Sequence, residues 1–137
     1  MDANTEKELS RFLEQWTDDA NGCKQLFLNL KSHVSGHGDV KLEFVPRPGL
    51  TYSLRTARTG QTQRPLFALI DVIDESPRWL SVCFYEDMIT DPEEHGDLVP
   101  EGLMGEDGYC LDAESNDPAL TDYLIKRLDE AYENASG

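Results

Sequence analysis

Apolar residues recur at helical spacing over the first third of the chain. Leu9, Phe12, Leu13 and Trp16 share one stripe, and Thr5 followed by Glu8 has the form of a capping box, so an amphipathic helix is expected over residues 5–17. A second stripe runs through Cys23, Leu26, Phe27, Leu30 and Val34, with Asp18 or Asp19 placed to cap it and Gly36 and Gly38 to end it. Beyond residue 40 the period shortens to that of a strand. Leu42 and Phe44 open a short extended run that Pro46, Pro48 and Gly49 turn aside. Leu50, Tyr52, Leu54 and Thr56 then alternate with Thr51, Ser53, Arg55 and Ala57, the signature of a strand with one dry and one wet face. LFALIDVI (66–73) and WLSVCFY (79–85) are apolar on both faces and read as central strands, joined by a turn at Asp74, Glu75, Ser76 and Pro77. A last strand runs from Tyr109 to Ala113. Asp117 before Pro118 starts a closing helix that puts Leu120, Leu124, Leu128 and Ala131 on one face.

These elements predict a single α+β domain over residues 1–137: a helical hairpin (1–38), an antiparallel sheet of four or five strands (39–113) with an acidic loop at 86–107, and a C-terminal helix (114–135) packed on the sheet. Hydrophobic residues make up 39% of the chain, enough for one core. Two strands apolar on both faces require cover on both sides. The front hairpin is expected to supply the second layer, with a homodimer as the alternative, so monomer and homodimer both fit.

From about residue 40 to 133, the segments TYSLRTAR, LFALIDVID, WLSVCFY, GYCLDAES and LTDYLIKRLDEAYE resemble a family of small uncharacterised bacterial domains, sometimes labelled predicted transport proteins. In that family a meander of strands precedes a Gly-led strand and a terminal helix. The resemblance implies a sheet-plus-helix fold and brings no catalytic residues; the front hairpin and the acidic loop depart from its pattern.

Charge changes the picture more than composition does. The chain carries 27 acids against 12 bases, a formal charge of -15, and the imbalance is local. Residues 1–85 hold 11 acids and 10 bases, whereas residues 86–137 hold 16 acids and only Lys126 and Arg127 as bases. Such a field argues against direct nucleic-acid binding and against attraction to an anionic membrane. No apolar run approaches the roughly 18 residues of a membrane span, and MDANTEKEL lacks the basic and apolar regions of a secretory leader. Three widely spaced cysteines, Cys23, Cys83 and Cys110, are expected to be reduced and buried, and the protein cytoplasmic.

Candidate chemistry is sparse. Residues 86–107 hold nine carboxylates and no base, and Asp91, Glu93, Glu94, Asp97, Glu101, Glu106 and Asp107 are the candidate contacts for a basic protein partner. DPEEHGDLVPEG begins like a calcium loop but has Gly102 where the twelfth-position acid belongs. Residues 44–70 contain four arginines and no acid, and Tyr52, Arg55 and Arg58 are candidates for a ligand or anion face. His33, His37, His95 and Cys23 are read as lacking the paired short spacings of a zinc site, CxxC or HxxxH, so no metal and no cofactor is expected. No motif sets a nucleophile, a base and an orienting group together, and an enzyme is the less favoured class. The expectation is a non-enzymatic interaction module, an adaptor or acidic small chaperone. The alternatives are a small-ligand-binding domain or minor enzyme and an acidic nucleic-acid mimic.

Overall fold

The computed structural model describes residues 3–17 and 19–135. Helices α1 (Ala3–Gln15) and α2 (Cys23–Ser35) precede strands β1 (Val40–Arg47), β2 (Thr51–Arg58), β3 (Ala68–Ile73) and β4 (Trp79–Tyr85). A short 3-10 turn at Glu86–Met88 leads to β5 (Asp97–Leu103) and β6 (Glu106–Ala113), and α3 (Pro118–Asn134) closes the chain. The α+β class stands, but the sheet has six strands rather than four or five, in the order β1-β2-β3-β4-β6-β5, with every neighbouring pair antiparallel.

The extra strand lies inside the supposed acidic loop. Asp97–Leu103 is exposed from Asp97 to Gly102, so it has no alternating apolar pattern from which to be read. Its extended form comes from pairing with β6, across which Leu98 faces Tyr109 and Val99 faces Gly108. Pro46 does not end the first strand as expected. It lies within β1 opposite Tyr52, and β1 is an edge strand, where a missing N–H costs no ladder bond.

At the front, α1 already includes Ala3 and Asn4, so Thr5 lies inside the first turn rather than at its cap, and Glu8 accepts a hydrogen bond from Asn4. The α2 stripe buries Cys23, Leu26, Phe27, Leu30 and Val34 as the spacing predicts. Asp19 caps this helix from upstream, its Oδ1 accepting the Lys24 N–H at 2.7 Å, while Gly22 supplies the left-handed turn between them. The other cap candidate, Asp18, lies outside the described residues. Asp117 precedes α3 in extended conformation but gives no side-chain cap; the helix buries Tyr123, Leu124, Leu128 and Ala131.

All three helices cover the same face of the sheet, which corrects the expectation that the hairpin would cover the second face. From α1, Phe12 stacks on Tyr52 with ring centroids 4.3 Å apart and packs on Phe44. In α2, Cys23 Sγ reaches the Ala113 carbonyl. Tyr123 of α3 shares a carboxylate partner, Asp91, with Tyr109 of β6. Under these helices lie Leu54, Ile70, Val72, Leu80, Val82, Phe84 and Leu111, all buried. The front of the chain therefore joins the core layer instead of making a third one.

Among the described residues the opposite face bears no α-helix, and the register arranges it in rows. Val45, Ser53, Asp71, Ser81 and Asp112 form one row across the sheet, and Glu43, Arg55, Leu69, Cys83 and Cys110 form the next. Mixed polar and apolar rows can face water where a continuous apolar layer could not. The strand whose apolar alternation runs on both faces, β4, is also served by local cover: Arg64 lies over the Tyr85 ring at 4.1 Å.

Candidate functional site

The acidic segment divides into carboxylates that hold the fold and carboxylates that face solvent. Asp91 belongs to the first group. Its Oδ2 accepts from the Tyr109 hydroxyl at 2.7 Å and the Gly96 N–H at 2.8 Å, and its Oδ1 accepts from the Tyr123 hydroxyl and the His95 N–H. Burial works to raise its pKa, but the two tyrosine hydroxyls and two backbone N–H groups outweigh it and hold the carboxyl below the usual range. The same bond pushes the Tyr109 phenol up to about 12. Asp91 thus ties the segment after β4 to both β6 and α3.

Glu106 is also committed. With Asp87 it clamps Arg64, whose guanidinium meets Asp87 at 2.7 and 3.0 Å and Glu106 at 2.8 and 3.1 Å. Asp107 accepts the Glu101 N–H, steadying a backbone with positive φ at Glu101. What remains outward is Glu86, Glu93, Glu94, Asp97 and the Glu101 side chain, all exposed. Beside them stand Leu98, 52% exposed, Val99, 38%, and Met104, 48%; among the described residues only Leu50 joins them as an exposed large hydrophobic. The β5–β6 hairpin therefore carries exposed apolar side chains, Leu98 and Val99 on opposite faces of β5 and Met104 at the turn, next to exposed acids in and just before β5.

Tyr52, Arg55 and Arg58 are not brought together. Successive strand residues point to opposite faces, and Tyr52 is buried under α1 while Arg55 lies on the open face, bonded to Glu43 at 3.0 Å and to Met104 Sδ. Arg58 pairs with Asp39 and lies over the Tyr132 ring at 4.3 Å. The expected arginine face is thus dispersed into separate ion pairs. Arg64 makes the closest link between the arginine-bearing stretch and the acidic segment.

Cys83 and Cys110 are joined in a disulfide, which corrects the expectation of reduced thiols. They are 27 residues apart in sequence, but β5 folds outward and lets β6 pair directly with β4, so the two stand exactly opposite one another in the register. Cys23 is free and buried. With this bond, the ground for placing the chain in a reducing compartment falls away. His95, the base considered for a cysteine nucleophile, packs instead against the Tyr123 ring at 4.6 Å.

The structure assembles two further groupings outside the expected site residues. On the open face Asp71 lies in the polar row with Oδ1 sealed from solvent and unpartnered among the described residues. Burial raises its pKa against the opposing pull of the Ser53 hydroxyl, Arg47 and Arg55. On the helical side His33, His37 and Asp129 converge, with His33 Nε2 2.7 Å and His37 Nε2 3.2 Å from the same Asp129 Oδ1. The two histidines are four residues apart, an HxxxH spacing that the expectation of no metal site passed over. The missing third member lies 92 residues further on and becomes a neighbour only when α3 packs beside α2.

Comparison with family models, curated proteins and solved structures finds no match to this chain. No described helix is long and apolar enough to cross a membrane.

Proposed function

We propose that this protein is a non-enzymatic interaction module that binds a basic protein segment on its β5–β6 hairpin. The carrying observation is the coincidence of Leu98, Val99 and Met104, exposed, with the outward carboxylates Glu93, Glu94, Asp97 and Glu101. Protein interfaces combine an apolar anchor with a charged rim, and charge asymmetry of one sign selects partners of the other. Side chains, not backbone, would carry the contact. Although β5 is an edge strand, Pro100, the bulge between Val99 and Leu103 and the positive φ of Glu101 all disfavour the addition of a further strand.

An extended peptide alternating arginine with leucine is a suitable probe. Nuclear magnetic resonance titration at low salt should shift the amides of Leu98, Val99 and Met104 first. Replacing Glu93, Glu94 and Asp97 with their amides should slow association and flatten its salt dependence, whereas Leu98→Ser should speed dissociation. Shifts confined to another surface, or an amide variant that associates as fast as the parent, would remove the hairpin from this role.

A further inference from the structure

We propose that His33, His37 and Asp129 form a binding site for a transition-metal dication of the zinc class, joining the C-terminal end of α2 to α3. All three donor atoms lie within 4.8 Å of one another. Both imidazoles direct Nε2 at one carboxylate oxygen, so three ligand atoms already converge on one point.

The two separations that involve Asp129 are close to what a metal needs. Zinc bonds to nitrogen and oxygen are roughly 2.0–2.2 Å, so two ligands at a tetrahedral angle stand about 3.3 Å apart. His37 and Asp129 are at 3.2 Å already, and His33 with Asp129 at 2.7 Å requires an opening of only about half an ångström. Entry of the ion replaces the two N–H···O bonds with metal bonds and moves each imidazole proton to Nδ1 or to solvent.

The site is also supported from behind. His37 lies beyond the end of α2, yet its ring stacks on Tyr132 at 3.9 Å and 10°. Tyr132 is itself fixed by its hydroxyl on Asp39 Oδ1 at 2.6 Å and by Arg58 over its ring. A histidine on a chain segment past a helix end is thereby held facing the cluster, which lowers the entropy lost on binding. Side-chain exposures of 32% for His33, 26% for His37 and 40% for Asp129 leave an approach for the ion and room for water in its remaining positions. Two imidazoles and one carboxylate suit zinc, cobalt, nickel or copper, whereas magnesium and calcium take oxygen ligands.

The test is calorimetric titration of zinc chloride into the full chain, with cobalt chloride as a spectroscopic probe of nitrogen ligation. One ion per chain should bind, and zinc should raise the melting temperature where an equal concentration of magnesium does not. His37→Gln and Asp129→Asn should each weaken zinc binding by about tenfold or more, equivalent to about 1.4 kcal/mol. Glu93→Gln with Glu94→Gln should leave it unchanged, separating the site from diffuse attraction to the acidic surface. His37→Gln removes a half-buried ring stacked on Tyr132, and its metal-free melting curve verifies that the fold persists. A folded His37→Gln protein that binds zinc like the parent, or magnesium that displaces zinc at equal concentration, would overturn the assignment and leave the cluster as a plain hydrogen-bonded group.

Discussion

Reduction of the Cys83–Cys110 bond frees a chain segment that the bond closes across a separation of 27 residues. In the chain-entropy account, closing a loop of that length removes roughly 3.5 kcal/mol of denatured-state freedom at 25 °C. For a chain of this size that amounts to a fall in melting temperature of about 10 °C or more. The fold should survive the loss at room temperature, because β4 and β6 remain paired through six residue positions and Val82, Phe84 and Leu111 stay under the helices. Thermal melts followed by circular dichroism, with and without reductant, measure the shift. Thiol titration in denaturant fixes its cause: the unreduced protein should yield one thiol and the reduced protein three. In the native state even that one should react slowly, since burial, then Asp19 and Glu114, push the Cys23 thiol up to about 11 and leave little thiolate at neutral pH. Three thiols before reduction, or a reduced protein melting with the oxidised one, would refute the reasoning.

Asp91→Ala should cost about 2–4 kcal/mol in urea denaturation, because it strips the Tyr109 and Tyr123 hydroxyls and two backbone N–H groups of a charged acceptor. Since the folded-state pKa of Asp91 lies below its unfolded value, its stabilisation is complete above the ordinary carboxylate range and is lost as pH falls through the folded pKa. The parent should therefore lose more stability than Asp91→Ala on acidification below about pH 4, and parallel pH profiles would count against the Asp91 anchor. Tyr85→Phe should be neutral or slightly stabilising, because the Tyr85 hydroxyl is buried without a partner among the described residues while its ring keeps Arg64 above it. A loss above about 1 kcal/mol in the same assay would mean that this hydroxyl has a partner.

Residue periodicity and turn residues were sufficient for the three helices, the five strands other than β5 and the α+β class. Those features come from neighbours close in sequence: the α2 stripe repeats every three or four residues, and Tyr52, Leu54 and Thr56 alternate over a single strand. The charge imbalance was equally legible, being a count. Tertiary structure decided what depends on distant partners. The exposed strand β5 takes its form from β6 and so has no pattern of its own. Placement of β6 beside β4 made neighbours of Cys83 and Cys110, and packing of α3 on α2 brought Asp129 to His33 and His37. The acids of residues 86–107 look alike in sequence, yet Asp91 and Glu106 hold the fold while Glu93 and Glu94 face water. A carboxylate's role is set by the donors that surround it, and here those donors, Tyr109, Tyr123 and Arg64, stand 18 to 42 residues away along the chain.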